Sequence, residues 1–231
     1  MTVMEKHSLF PLEDTLFYFR LKDPVSALTH IGGFVFAIIG MPLLLIKASA
    51  DMKSVAELIS FAIFMMSMIV LYGASSAYHS FNISEKGNLI LKKIDHMSIS
   101  ILISGSYVPV CIAGLHNGKG QILLGVIYAF ALLGILFKLF YVRCPKWVSS
   151  VIYLGMGWAC IMMLPELLKG LSTGAFAWLL AGGVFYSVGA VIYALKLKLF
   201  HNRWFGNHEL FHCFVLAGSF CHYMMVFQYL A

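Results

Sequence analysis

Seven stretches without a charged side chain dominate this sequence, and they limit its possible folds more than any other feature. Each is between 18 and 27 residues long, and a helix needs about 20 residues to cross the hydrocarbon of a bilayer. Continuous apolar runs favour helices over the alternating strands of a barrel. The stretches are residues 24–46, 58–84, 96–118, 120–137, 147–165, 170–195 and 210–231.

The composition fits a membrane domain and leaves no room for a second domain. Of the 231 residues, 61% are hydrophobic and 11% are charged, whereas soluble domains average about 25% charged residues. We therefore predict an all-α, seven-transmembrane-helix bundle over residues 24–231. Residues 1–23 mix charged with aromatic side chains and are predicted to be cytoplasmic, either as a helix on the membrane surface or as a loosely ordered tail.

Positive charge is distributed unevenly between the two sides of the predicted bundle. The N-terminal segment and the second, fourth and sixth loops carry 12 of the 16 Lys and Arg residues. The positive-inside rule places these segments in the cytoplasm and the C-terminus outside. We expect a plasma membrane location, which in a bacterium is the inner membrane. The net charge of +6 therefore reflects topology, and we predict no nucleic-acid partner.

Ionisable residues from four helices are predicted to meet near the cytoplasmic side of the membrane. Such residues are costly in a bilayer and usually functional. His30 lies about two turns into the first helix, and His79 lies near the end of the second. Asp95 lies at the predicted start of the third helix, and His208 and His212 lie at the start of the seventh.

His208 and His212 are four residues apart, so a helix presents both imidazoles on one face. With His79 they supply three nitrogen ligands, a set that suits tetrahedral Zn²⁺ with one open position. Asp95 is then free to act as a base on water. Ser75, one helical turn before His79, is placed to support the site.

Each of these residues also has a simpler interpretation. A single membrane histidine often serves in helix packing, Asp95 could cap the third helix, and Ser75 could bond to its own helix. Residues 208–212 also match the H-E-x-x-H pattern of zinc proteases, which would make Glu209 a general base. However, no acidic residue follows Glu209, so the downstream acidic ligand of many such enzymes is missing.

Glycine and proline positions give further expectations. Gly87 is predicted to lie in the second loop, and Pro165 is predicted to end the fifth helix. Gly155, Gly157 and Gly182 are expected to allow close helix contact. The uncharged runs of helices 4 to 6 offer no charge to line a channel.

Short motifs give the chain a family likeness from about residue 23 to its end. They are Ser75-Ser76-Ala77-Tyr78-His79, Leu91-Lys92-Lys93-Ile94-Asp95-His96, Gly105-Ser106-Tyr107-Val108-Pro109, Leu133-Gly134-Ile135-Leu136-Phe137-Lys138, Asn207-His208-Glu209-Leu210-Phe211-His212 and Gly218-Ser219-Phe220-Cys221-His222. The chain resembles the hemolysin III group of the progestin and adipoQ receptor superfamily. The wider circle of that superfamily includes membrane-embedded hydrolases such as alkaline ceramidases.

The resemblance implies a zinc ion bound by His79, His208 and His212. It also implies that Asp95 holds the water on that ion and that Ser75 supports the site. The first helix of the family usually begins with Glu, then Asn, then Thr-His or Ser-His. Here Asp23 and Ser26 stand near the first two positions, and Thr29-His30 keeps the last.

Three functions are compatible with these features. The leading hypothesis is a zinc-dependent hydrolase that acts on a membrane lipid amide or ester and takes part in membrane lipid homeostasis. The second is a non-enzymatic sensor or receptor of membrane state in which zinc is structural. The third is a cytolytic pore, which the hemolysin name suggests and the uncharged runs disfavour.

Overall fold

The computed structural model describes residues 21–115, 118–195 and 205–231, and these ranges form seven long helices and no strand. The predicted all-α seven-helix bundle is therefore confirmed. The predicted interfacial segment covers residues 1–23, of which residues 1–20 lie outside the described residues, so a helix there stays a prediction. The helices are α1 (Pro24–Ala50), α2 (Val55–Ser80), α3 (Glu85–Gly114), α4 (Lys119–Tyr141), α5 (Lys146–Gly170), α6 (Thr173–Leu195) and α7 (Asn207–Leu230).

The outer surface of the bundle is apolar along its length, as expected for a protein that crosses a membrane several times. Large hydrophobic side chains such as Ile39, Leu133 and Val184 are exposed on several helices. In water this surface would be unfavourable, whereas lipid tails accept it. The end of the bundle at which α1 starts is called the N-terminal end below. Its assignment to the cytoplasm remains a prediction.

Helix α3 begins about ten residues before the uncharged run that predicted it. The side chain of Ser84 caps its first turn by accepting a hydrogen bond from Gly87 N at 3.1 Å. Gly87 therefore lies in the helix, and its predicted place in the loop was wrong. Asp95 was also misplaced at the helix start: it lies in the third turn and is buried. Lysine residues in the exposed first turns break the hydropathy pattern without breaking the helix.

Helix α5 does not end at Pro165, contrary to the prediction. It changes from α-helix over Lys146–Trp158 to 3₁₀-helix over Ala159–Met163 and resumes as α-helix over Leu164–Gly170. Pro165 lies in the first turn of this last part, where a missing N–H costs little. The hydroxyl of Tyr107 lies 2.6 Å from the Gly157 carbonyl, which the change of helix type frees.

The helices pack in a ring that encloses a central cavity. α2 packs extensively against α1 and α3, α6 packs against α7, and α7 closes the ring against α1. Gly182 of α6 lies directly against His222 of α7, because a Cβ built on Gly182 would be 2.1 Å from His222 Cδ2. The same test finds open space at Gly155 and Gly157, so their predicted role in close helix contact was wrong.

Candidate metal centre

Three histidines meet at the N-terminal end of the bundle. His79 comes from the last turn of α2, and His208 and His212 come from the first two turns of α7. One ring nitrogen from each lies within 4.8 Å of the other two. The predicted convergence of these three side chains is therefore observed. His79 is far in sequence from the pair on α7, and the packing of the helices brings the three side chains together.

The spacing of the ring nitrogens suits a small tetrahedral ion. His79 Nε2 and His208 Nε2 are 3.1 Å apart. Two nitrogens that each bind zinc at 2.0–2.1 Å in tetrahedral geometry are about 3.3 Å apart. His208 and His212 are close enough for their ring centroids to lie 4.5 Å apart. The three residues therefore fit a divalent cation with nitrogen preference.

The remaining ring nitrogens of two of these histidines are held by oxygen atoms. Asp23 Oδ2 lies 2.9 Å from His79 Nδ1, and the Ser26 carbonyl lies 3.3 Å from His212 Nδ1. Such contacts fix the tautomer and leave Nε2 as the ligand atom. Asp23 is held in place in turn, because its backbone N–H donates to the His79 carbonyl at 2.9 Å.

A second set of contacts joins α1 to α7 beside the histidines. Ser26 Oγ donates to Glu209 Oε1 at 2.7 Å, and Glu209 Oε2 accepts from the backbone N–H of Gly206 at 2.9 Å. Thr29 Oγ1 lies 3.4 Å from His212 Nδ1. Both oxygens of Glu209 are thus engaged in capping α7 and bracing α1. This geometry does not present Glu209 as the general base of a protease.

His30 packs face to face on His212, with ring centroids 3.7 Å apart and planes inclined by 7°. It is buried, and neither ring nitrogen has a hydrogen-bond partner among the described residues. His96 lies outside the ligand group. Its carbonyl accepts a hydrogen bond from the Tyr153 hydroxyl at 2.8 Å.

Asp95 and Ser75 lie beside the histidines in the wall of the central cavity, and both are buried. Asp95 is 8% exposed, and the ionisable groups near it include His79 and Lys22. Lys22 lies outside the helices, at the N-terminal end. Burial lowers the pKa of the Lys22 amine, and the nearby carboxylates of Asp23 and Asp95 oppose this shift.

The cavity extends from the histidines into the middle of the bundle and has a volume of about 380 Å³. Its wall runs along α7 from His208 to His222, which are 14 residues and hence about 21 Å apart along the helix axis. Most of the lining is apolar, including Leu102, Leu167 and Val215. The space is long and narrow enough to suit an extended hydrocarbon chain.

One charged residue inside the bundle was not found from the uncharged runs. Helix α4 continues past residue 137, and Lys138 is only 1% exposed. Its Nζ donates to Ser149 Oγ at the start of α5 and lies 3.2 Å from Cys144 Sγ. The hydropathy boundary at residue 137 therefore marked the first charge and missed the end of the helix.

Replacing Asp23 tests how much the outer contact contributes to metal binding. We expect Asp23→Ala to weaken metal affinity about 10- to 100-fold, because His79 loses the carboxylate that orients its ring. Competition with a chelator of known affinity would measure the change. Asp51→Ala, at the other end of α1, is the matched control and should leave affinity unchanged. Equal affinities for both variants would contradict the assignment.

Seven membrane-crossing helices with three histidines at one end define a multi-pass membrane protein with a candidate metal centre. The chain belongs to the Haemolysin-III related family, whose model matches residues 18–223. It is 37% identical over 212 residues to a protein of Bacillus subtilis (strain 168) named "Hemolysin-3 homolog", covering 91% of this chain and 96% of that relative. It is 34% identical over 211 residues to "Hemolysin-3" of Bacillus cereus, covering 91% and 93%.

More distant relatives connect the family to animal receptors. The chain is 28% identical over 216 residues to the "Adiponectin receptor protein" of Drosophila melanogaster, covering 84% of this chain and 48% of that relative. These similarities confirm the family and superfamily inferred from the sequence motifs.

Proposed function

We propose that this protein is a zinc-dependent hydrolase of a membrane lipid amide or ester. The observation that carries the proposal is the placement of a three-histidine group and a buried carboxylate at the end of a long apolar cavity. The histidines supply a site for an ion, Asp95 supplies a base, and the cavity supplies space for an acyl chain. Each of these features alone is compatible with a structural role.

Zinc is the ion that best suits the donor set. Imidazole nitrogens suit Zn²⁺, Cu²⁺, Fe²⁺ and Ni²⁺, and three histidines with an open position are typical of catalytic zinc. When bound, the ion would act as a Lewis acid on a carbonyl and make water nucleophilic near neutral pH. His79, His208 and His212 would hold it.

The residues around the histidines have separate tasks in this proposal. Asp95 accepts the proton of the attacking water and passes it to the leaving amine or alcohol. Ser75 of α2 lies beside Asp95 of α3 and keeps that carboxyl oriented. The apolar lining from Leu102 to Val215 holds the acyl chain and excludes bulk water. Cleavage of each amide or ester bond consumes one water molecule and releases one carboxylic acid and one amine or alcohol.

The same proposal includes a location. The basic N-terminal end of the bundle would face the cytoplasm, so the histidines would lie near the inner leaflet of the plasma membrane. A substrate would then reach the site from the lipid phase. A role in membrane lipid homeostasis follows from this access.

Metal removal and return test the proposed activity directly. The purified protein is incubated in detergent micelles with N-acylsphingosine, lysophospholipid and monoacylglycerol, and released fatty acid is measured by mass spectrometry. We expect release from at least one lipid class, loss after chelation, and recovery with Zn²⁺. The His208→Ala variant is the control for contaminating lipases. Release that persists in this variant, or no zinc-dependent release from any lipid, would contradict the proposal.

A membrane-state sensor is the second candidate. The contacts of His79 with Asp23 and His208 bring α1, α2 and α7 together at one end, so a metal could act as a structural clamp. Relatives whose names include "receptor" are compatible with this role. In that case removal of the ion would lower thermal stability and no substitution at Asp95 would change lipid turnover. A cytolytic pore ranks lowest, because the cavity lining is mostly apolar.

A further inference from the structure

Lys138 is a buried cation for which no described carboxylate serves as counter-ion. Its side chain is 1% exposed, and among the described residues its nitrogen forms hydrogen bonds with the Ser149 hydroxyl and the Cys144 sulfur. The ion pairs within the described ranges involve other basic groups, namely Lys22, Lys47, His79 and Lys119. A buried charge without a partner is costly, and in a membrane protein it usually marks a functional site.

Accounting for the described acidic residues strengthens this observation. Asp23 and Glu209 serve the histidine centre, and Glu57 caps α2. Asp51 pairs with Lys47, and Glu166 pairs with Lys119. Glu85 is exposed in the first turn of α3, and the ionisable neighbours of Asp95 are His79, Lys22 and Lys92. None of the described acidic side chains therefore forms an ion pair with Lys138.

Lys138 is connected to the central cavity through the side chains around it. Ser149, which accepts its hydrogen bond, lines the cavity wall. Tyr153 also lines the cavity, and its ring centroid is 6.0 Å from Lys138 Nζ. Next to it the Tyr153 hydroxyl reaches His96 of α3. The positive charge of Lys138 thus lies behind the cavity wall. In these surroundings of low polarity its electrostatic attraction acts over a longer distance than in water.

A second basic side chain, Lys146, lies beside the cavity where α4, α5 and α6 meet. Lys146, in the first turn of α5, lies 4.1 Å from the ring centroid of Tyr193. Tyr193 lines the cavity and packs beside His208, with ring centroids 5.8 Å apart. The corner formed by α4, α5 and α6 therefore holds two basic side chains, whereas the remaining wall is mostly apolar.

We propose that Lys138 and Ser149 form an anion-recognition subsite, so that the preferred ligand of the cavity is an amphiphile with an anionic phosphate or carboxylate group. The Ser149 hydroxyl accepts a hydrogen bond from Lys138 and donates its own proton to the anion. The apolar wall holds the hydrocarbon chain. This inference deepens the proposed function and rests on it only because both use the same cavity. It concerns ligand binding and requires no hydrolysis.

The subsite is tested by the binding of three ligands that share the same 16-carbon hydrocarbon chain length and differ in the polar group. Tritiated hexadecyl phosphate, palmitate and hexadecanol are added to the purified protein in detergent, and affinities are measured by scintillation proximity. Lys138→Met removes the charge and keeps the volume. We expect this variant to bind at least one anionic ligand about tenfold more weakly, because hydrogen bonds and charge attraction to an ionised group are lost. Its affinity for hexadecanol should not change.

Matched variants separate the subsite from a structural role. Lys138→Arg should keep the preference for anions, and Lys119→Met, at the other end of α4, should behave as wild type. Ser149→Ala provides a second probe if Lys138→Met does not fold, and it should weaken anion binding in the same direction. A larger effect on hexadecyl phosphate would assign the group as phosphate, and a larger effect on palmitate would assign it as carboxylate.

The metal centre is a competing anion site and needs its own control. The three ligands are therefore also measured in the His208→Ala background, where the effect of Lys138→Met should persist. This outcome would support the subsite even if no lipid is hydrolysed. An equal loss of affinity for all three ligands, no loss for either anion, or disappearance of the effect in that background would overturn the proposal.

Discussion

Purified His208→Ala protein is expected to carry only a small fraction of the metal that the wild-type protein carries. His208 Nε2 lies 3.1 Å from His79 Nε2, within the group of three donor nitrogens. Removing one donor leaves two imidazoles, and no carboxylate of the described part replaces the third at that position. Metal content, measured by inductively coupled plasma mass spectrometry after a brief chelator wash, gives the result directly.

The matched control for this variant is His96→Ala. His96 also lines the cavity wall, but it lies outside the group of donor nitrogens. We expect His96→Ala to keep a wild-type metal content under the same wash. Zinc should also be the ion retained when the protein is offered several divalent metals. Equal metal content in both variants would show that the three histidines do not hold the ion.

Much of the fold was predictable because the bilayer imposes a simple rule on sequence. Seven runs of sufficient length predicted seven helices, and the number and order were correct. The pair His208 and His212 was also predictable, because a spacing of four residues places two side chains on one helix face. His79 joined them in the prediction because alternate helix ends must lie on the same side of a membrane.

Other features of the site depend on tertiary contacts that a hydropathy pattern does not contain. Asp23 precedes α1, yet it contacts His79 at the end of α2. Ser26 and Thr29 contact residues on α7. The position of Asp23 before the first helix was the available signal, since it lies at the same membrane side as the three histidines. Its pairing with one particular histidine required the structure.

Charges near helix ends account for the remaining differences. Lys138 ended an uncharged run but continues α4 into the bundle, and the lysines before Asp95 hid the first turns of α3. A charged residue in a membrane helix can reach the interface with a long side chain or be buried beside a polar neighbour. Sequence alone does not distinguish these two cases. For Lys138 the polar neighbour is Ser149 of the next helix, and nothing in the sequence predicted this particular contact.

Asp95→Asn is expected to lower lipid turnover by about 10²- to 10⁴-fold, which is the usual contribution of a general base. The amide keeps the shape of the side chain but cannot accept the proton of water. Metal content should stay at the wild-type level, because Asp95 lies outside the three donor nitrogens. The loss should appear in kcat, since the apolar cavity that binds the acyl chain is unchanged. Fatty-acid release under saturating lipid measures it.

Two comparisons give the Asp95 result its meaning. Asp51→Asn changes an exposed carboxylate at the far end of α1 and should leave turnover unaffected, which controls for altered charge and handling. The thermal stability of Asp95→Asn should remain near that of the wild type, because an amide replaces a buried carboxyl. If turnover survives in Asp95→Asn while chelation destabilises the protein, the metal is a structural clamp and the sensor function is favoured. If turnover falls with metal content intact, the clamp alone cannot account for the loss, because the ion and the three helices it joins are all still in place.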